Sequence, residues 1–408
     1  MKVLMFGWEY PPHILGGLGT ASYGITKGLA AQGDVEITFC LPKPWGDEDR
    51  SFLNVIAMNA VPVVYRDVNY DYVKERVGNI MDPDLYYKMR DHIYADFNYM
   101  LVNDLGCIEF SGKYQDNLHS EINNYSIVAG VVARQQEFDI IHAHDIKATI
   151  YASLFSKKCK IISHVHGNSI DMRKTSLKSL LFLIVSKKVE HIFWVSDSSL
   201  SQYKFYKQIC NKSSVLVNVV DKKEIIYNSK KFNIDEKYDA VFVGRLVKLK
   251  NPKRLLNIFL SVVGKVPTAK LAIVGNGPMY DELKEYINNN NLNNNVFLLG
   301  FQTNPYVYIK NSKIMLLTSI YEGTPMCALE ALCLGKPIVS TPTDGMKDLI
   351  KQGFNGFLSN NDDELINNII KLITNDKKLL QMSKNADNDS TKNNDIVKYK
   401  KVLNQYYK

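Results

Sequence analysis

The sequence predicts an α/β protein made of two doubly wound, Rossmann-like domains. Three observations predict it. Short unbroken runs of Val, Ile, Leu and Phe recur, as in parallel strands buried on both faces. Helix-length segments separate them, so strand and helix alternate. The alternation comes in two blocks, divided by a polar, Lys-rich connection at Asp221–Lys237. A chain of 408 residues suits two or three domains of roughly 100–200 residues each.

In the first block, Lys2–Trp8 reads as a strand, Leu18–Ala31 as a helix and Val35–Leu41 as a strand. The order is less regular from Pro42 to Gln136. Trp45–Arg50 reads as a polar turn, and the Tyr- and Asp-rich stretch Tyr65–Tyr99 as an insertion with helices. Phe138–Ala143, Lys160–Val165 and His191–Val195 read as further strands, with helices near Lys147–Ser156 and Ser196–Ile209. The first domain is expected over 1–220, with an insertion near 43–136. In the second block, strands are expected at Tyr238–Val243, Lys270–Val274, Val296–Leu299, Lys313–Thr318 and Pro337–Thr341. Helices are expected at Pro252–Val263, Pro278–Asn288 and Pro325–Leu334, with an Asn-rich loop at Asn288–Asn295. This domain is expected over 221–388. The remainder, 389–408, reads as a C-terminal helix packing back on the first domain.

Composition narrows the class. The chain is 46% hydrophobic and 23% charged, which is ordinary for a globular protein. Its net charge of +8 favours an anionic partner. The basic residues are dispersed and form no nucleic-acid-binding motif, so nucleic acid is not an expected partner. The start MKVLMFGWEY is neither a signal peptide nor a membrane span, and a cytoplasmic protein is expected. The six cysteines show no metal-binding spacing and read as reduced core residues.

The chemistry concentrates in YEGTPMCALEALCLGKP, residues 321–337. Thr324 reads as an N-cap, Pro325 as a first helical residue, and Gly335 as a stop. Within Met326–Leu334, Glu330 is the only residue with an ionisable oxygen. A buried carboxylate must be paired or hydrogen-bonded. Its partner is either a protein cation or a ligand diol, since one carboxylate accepts from two adjacent hydroxyls. Glu322 lies in the loop before the helix. That helix start offers free amides to an anion, and Gly323 lets a ligand approach the backbone.

Other strand ends carry further candidates. In VGRLVKLKNP, Arg245 and Lys250 follow a strand and suit a diphosphate, or are plain surface cations. In VGNGP, Gly275, Asn276 and Gly277 form a strand-to-helix turn, with Tyr280 where a dinucleotide fingerprint needs glycine. Gly16, Gly17 and Gly19 make a phosphate-friendly first loop that lacks the Gly-Lys-Ser/Thr of a P-loop. FDIIHAHD supplies His142, His144 and Asp145, and ISHVHGN supplies His164 and His166. They read as a site wall, with a metal site as the sharper alternative. Asp47/Asp49 and Asp82/Asp84 read as solvated turns. Met172–Glu190, with basic flanks around Leu180–Val185, is either a core-packed helix or a peripheral contact with an anionic membrane.

Taken together, the Glu322-x7-Glu330 pair, VGRL with Lys250, VGNGP and the Gly-rich first loop resemble glycosyltransferase family 4. The resemblance implies the GT-B fold, two Rossmann-like domains across a cleft, and retaining transfer. It implies that Glu330 holds the donor ribose hydroxyls and Glu322 contacts the transferred sugar. Arg245 and Lys250 would hold the diphosphate, helped by amides around Gly323, Thr324, Pro325 and Met326 and by Gly16 and Gly17. His166 would sit near the sugar, and Gly300 and Phe301 beside the base. Gly275, Asn276 and Asp145 complete the implied substrate-binding set. No metal or other cofactor is implied; the nucleotide-sugar, a UDP- or ADP-sugar, is a substrate. The N-terminal half is similar to glycogen and starch synthases, the C-terminal half to capsular and cell-surface polysaccharide transferases. The implied function is hexose transfer to a glycan or lipid-linked acceptor in surface polysaccharide synthesis; glycogen-like α-glucan elongation is the alternative. Two departures bear on this. Asn218-Val219-Val220-Asp221 lacks the glycine common at that turn, and Ile146 stands where glycogen-synthase-like sequences carry an aromatic. A nicotinamide-dependent dehydrogenase and an inactive sugar-binding protein fit the residues less well.

Overall fold

The computed structural model describes residues 1–12, 17–30, 33–63, 107–112, 118–135, 137–156, 159–166, 170–218, 220–393 and 396–407. It divides into two compact units, Met1–Leu216 with Lys398–Lys408, and Val217–Val397. The first boundary falls before the expected 220. Asn218 already belongs to the second unit, where its side-chain amide donates to the Thr324 carbonyl at 3.4 Å. The second boundary falls after 388 because the helix Asp376–Asn393 continues through it.

The first unit holds a seven-stranded parallel sheet in the order β3-β2-β1-β4-β5-β6-β7. Its strands are β1 Lys2–Phe6, β2 Glu36–Leu41, β3 Asn54–Ala57, β4 Ile140–His144, β5 Lys160–Val165, β6 His191–Trp194 and β7 Ser213–Val215. The central strands read as continuous apolar runs because both faces are covered: Val3, Leu4 and Met5 are fully buried.

The stretch 43–136 is not one insertion. Asn54–Ala57 is an edge strand paired in register with β2, and Leu118–Gln135 is a core helix that buries Tyr125, Val128, Ala129 and Val132. Tyr65–Tyr99 and Asp82/Asp84 lie outside the described residues. The expected single helix Ser196–Ile209 is two, Asp197–Ser201 and Tyr206–Ile209. Between them Tyr203 turns inward and donates to the Ser179 carbonyl at 2.8 Å. The helix Leu177–Ser186, closed at its start by a Ser176–Ser179 capping box, sinks Leu181, Phe182, Ile184 and Val185 into the core. That is the core-packed alternative. Lys174, Lys187 and Lys188 stay exposed around it. Among the described residues no helix is long and apolar enough to cross a membrane. Cys210 is exposed, contrary to the expected core position, because it lies in the solvent-facing turn after the helix Tyr206–Ile209.

The second unit holds a six-stranded parallel sheet, order β10-β9-β8-β11-β12-β13. Its strands are β8 Tyr238–Val243, β9 Leu271–Val274, β10 Val296–Gly300, β11 Ser312–Leu317, β12 Ile338–Ser340 and β13 Gly356–Leu358. The helices Lys222–Asn228, Tyr306–Lys310, Asp344–Leu349, Asp362–Thr374 and Asp376–Asn393 were not foreseen from the sequence, nor was β13. Asp221 of the altered turn is a helix cap: its carboxylate accepts from the Lys223 and Glu224 amides at 2.9 and 3.1 Å.

The last helix, Ile396–Tyr406, returns to the first unit. Leu403 is fully buried there, Tyr406 stacks on His191 with centroids 4.0 Å apart, and the Tyr407 hydroxyl bonds His142 Nδ1.

Candidate active site

In the second unit, Lys250 ends a tight turn, Lys248–Lys250, whose next residue Asn251 is left-handed (φ 50°) before Pro252 opens a helix. Two bonds tie this turn to the end of β11. The Ile320 amide donates to the Leu249 carbonyl at 2.9 Å, and the Thr318 hydroxyl to the Asn251 carbonyl at 3.0 Å. The Lys250 ammonium thereby meets Oε1 of Glu322 in an ion pair, and the Ser319 hydroxyl donates to the same oxygen at 2.6 Å. Glu322 is buried. Sequence reasoning named Glu322 and Lys250 but missed Ser319, whose signal was its place three residues before Glu322 in the same turn.

The helix that follows spans Met326–Cys333, shorter than expected at both ends. The cap position belongs to Pro325, with extended φ and ψ and no side-chain cap bond, so Thr324 is not the N-cap. The Ala328 amide bonds the Pro325 carbonyl at 3.1 Å. The first-turn amides ahead of it, from Met326 on, have no intrahelical acceptor by construction. Gly323 is fixed from behind: a Cβ on Gly345 would lie 1.2 Å from the Gly323 carbonyl oxygen.

Glu330 sits midway along this helix, 6% exposed. Of its two expected partners, the protein cation is absent among the described residues. The Tyr306 hydroxyl donates to its Oε1 at 3.4 Å. Burial lifts the Glu330 carboxyl to about 7, opposed by the bond from Tyr306. Tyr306 was not foreseen. Cys327 lies between the two glutamates in sequence; burial pushes its thiol up to about 12, with smaller effects from the charges of Lys250, Glu322 and Glu330.

Arg245 lies on the loop after β8. That loop is clasped by VGNGP: the Leu246 amide donates to the Asn276 carbonyl at 2.9 Å, and the Met279 amide to the Leu246 carbonyl at 3.0 Å. A Cβ on Gly275 would lie 1.9 Å from the Gly244 carbonyl oxygen, and one on Gly277 2.5 Å from that of Leu246. These glycines are thus required for the packing of the two loops against each other. The Asn276 side chain folds onto its own loop, accepting from the Gly277 amide at 2.8 Å. Gly300 closes β10 at φ 68° and accepts from the Gly275 amide at 2.8 Å; Phe301 beyond it is about half exposed.

In the first unit, Gly17 opens the helix Gly17–Ala30, and Gly16 lies outside the described residues. Buried Glu9 accepts from the Gly19 amide at 3.1 Å, a negative charge at a helix start that the sequence reading passed over. Asp145 is a helix cap: at φ 79° its carboxylate accepts from the Ile146 amide at 2.6 Å.

His142 and His144 on β4 and His164 on β5 are buried, with His166 just past the strand. His144 Nδ1 and His166 Nε2 share a hydrogen bond at 2.7 Å. Burial holds His166 down at about 4 and His142 at about 3, with His144 and His164 also well below the usual range. The rings of His142, His144 and His164 stack with planes within 21° of one another. One ring nitrogen from each of His142, His144 and His164 lies within 4.8 Å of the others, so the cluster is at once a packed wall and a candidate ligand set for a metal ion.

Comparison with known proteins agrees with this geometry. The starch synthase catalytic domain model matches residues 2–219, over half the chain, and the glycosyl transferases group 1 model matches residues 224–389. An uncharacterized glycosyltransferase of Methanocaldococcus jannaschii is 33% identical over 46% of this chain and 49% of its own. The Escherichia coli UDP-Gal:alpha-D-GlcNAc-diphosphoundecaprenol alpha-1,3-galactosyltransferase is 27% identical over 65% of this chain and 74% of its own. The chain thus spans about half the length of the first relative and most of the second. The Anabaena protein HepE in complex with UDP shares the fold, with a TM-score of 0.68 at 17% identity over 99% of both chains. With a matched model on each half and the two glutamates seated as described, the chain belongs to glycosyltransferase family 4 and has the GT-B fold.

Proposed function

We propose that this protein transfers a hexose, with retention of anomeric configuration, from a nucleoside-diphosphate sugar to a glycan or lipid-linked acceptor. The observation that carries the reading is the Lys250–Glu322–Ser319 group, with Glu322 and Ser319 buried and Lys250 half-buried, just ahead of the helix that carries a buried Glu330 with no protein cation on it among the described residues. Glu330 is suited to a ribose diol. Lys250 has three donors, so it keeps one on Glu322 and turns the others to phosphate. As the bond between the anomeric carbon and the phosphate oxygen breaks, charge grows on the diphosphate. Lys250, Arg245 and the amides from Met326 on would stabilise it. The acceptor hydroxyl attacks from the same face, and its proton passes to the departing phosphate oxygen. This chemistry needs no metal, so chelator should leave the rate unchanged.

The UDP named for the Anabaena complex and the diphosphoundecaprenol acceptor named for the E. coli relative favour a UDP-sugar and a lipid-linked acceptor in surface polysaccharide assembly. The match of the starch synthase domain model to residues 2–219 favours α-glucan elongation as a second reading. Incubation with UDP-glucose or ADP-glucose and glycogen separates them by product size. The central test is a donor screen for nucleoside diphosphate release. Glu330→Ala and Lys250→Ala should each lose about 100-fold or more in turnover while the circular dichroism spectrum is kept. Full activity in both variants overturns the proposal.

A further inference from the structure

Glu330 is hard to explain as a carboxylate. Its helix surrounds it with Ala328, Leu329, Ala331 and Leu332, all buried. Four elements pack most closely on that helix among the described residues. Of their ionisable groups, Lys223, Tyr227, Lys310, Asp376, Lys377 and Lys384 are exposed, while Tyr308 donates to Gln302 at 3.1 Å and Lys378 to the Gly353 carbonyl at 3.4 Å. The helix Lys222–Asn228 brings Glu224, whose charge reaches Tyr306, and Lys222, which is paired at 2.7 Å with Asp387 of the helix Asp376–Asn393. Asp389 of that helix pairs with Lys351. Strand β12, Ile338–Ser340, brings no ionisable group. The helix Tyr306–Lys310 brings Tyr306, the one side chain that donates to Glu330 among the described residues. On the helix itself lie the Cys327 and Cys333 thiols.

A dry carboxyl takes up a proton, and a protonated acid offers a diol fewer lone pairs. A neighbouring phenol counters this, because it can only donate to the carboxylate. Tyr306 is suited to that: the Glu330 charge and burial both hold its own proton in place. We propose that Tyr306 is a positioning residue for the donor, holding Glu330 ionised and oriented so that it accepts both hydroxyls of the nucleotide ribose. The inference rests on the reading of Glu330 given above.

The test measures binding of UDP-, ADP- and GDP-glucose to the full chain by calorimetry between about pH 5.5 and 8.5. The diphosphate of these probes keeps a constant charge there, so titration of the protein is what is read. Wild type should bind its preferred probe about tenfold more weakly per pH unit below a midpoint near 7. Tyr306→Phe should move that midpoint up by about one unit, costing roughly fivefold at pH 7 and less than about twofold at pH 8.5. Saturated kcat should hold, so the defect appears in the donor KM. Glu330→Gln should bind weakly at every pH with no midpoint. If Tyr306→Phe weakens binding equally at all pH values, or not at all, while Glu330→Gln binds weakly, the inference fails and the reading of Glu330 stands. If Glu330→Gln binds like wild type, or no probe binds wild type, both fail.

Discussion

Ser319 gives Glu322 its second anchor, and its removal separates positioning from stability. Ser319→Ala leaves the carboxylate held by Lys250 alone. A net hydrogen bond of this kind is worth about 1 kcal/mol. We expect kcat to fall about fivefold with donor KM changed little, and the melting temperature of the second unit to drop slightly. Steady-state kinetics checks the first and calorimetry the second; a rise in KM alone would place Glu322 in binding instead. At this scale the sequence was legible where spacing carried the message. The seven residues between Glu322 and Glu330 and the four between Arg245 and Lys250 marked these side chains, and the fold brings Lys250 onto Glu322. Tyr306 and Tyr407 were not legible, because each acts on a partner from another element. The capping role of Asp145 was not legible either, because it depends on a left-handed backbone at φ 79° that the residue type does not announce.

At the scale of elements, the ends of β8, β9 and β11 are interlocked by glycine. Gly345→Ala forces the Gly323 carbonyl aside and should destabilise the second unit by about 3 kcal/mol or more. Gly264→Ala is the control. It lies on the helix Pro252–Lys265, its added Cβ meets nothing within 4 Å, and it should stabilise by about 0.5–1 kcal/mol. Thermal melts of the two variants should move in opposite directions. The sheets themselves were readable because parallel strands buried on both faces have no polar side to blur the pattern. The edge strand Asn54–Ala57 escaped because it is only partly buried. The helix Leu118–Gln135 escaped because its first half, LHSEINNY, reads as surface.

At the scale of the molecule, acid should strike the two units differently. All eight histidines and all three tryptophans fall in residues 1–216. Burial depresses His142 to about 3 and His166 and His191 to about 4, against about 6.5 in an unfolded chain. Such groups stay neutral when folded and take up protons on unfolding. The first unit therefore has its full stability above about pH 6.5 and loses it as the pH falls towards 3–4, by up to about 1.4 kcal/mol per pH unit for each histidine. Glu330 works in the opposite sense, since a raised carboxyl favours the folded second unit as the pH falls below 7. Tryptophan emission should thus shift red at a higher pH than far-UV dichroism is lost. Coincident transitions would contradict this.

The return of the last helix also sets an order of events. Residues 1–216 leave the ribosome first, yet Tyr406 and Tyr407, which cover His191 and His142, are made after the whole of the second unit. Domains fold as units during synthesis, the earliest first. Here the unit that starts earliest finishes last, with its histidine flank open while the second matures. A nascent chain stalled so that only residues up to 397 have emerged should bind nucleotide-sugar through a finished second unit, while protease still cuts the first.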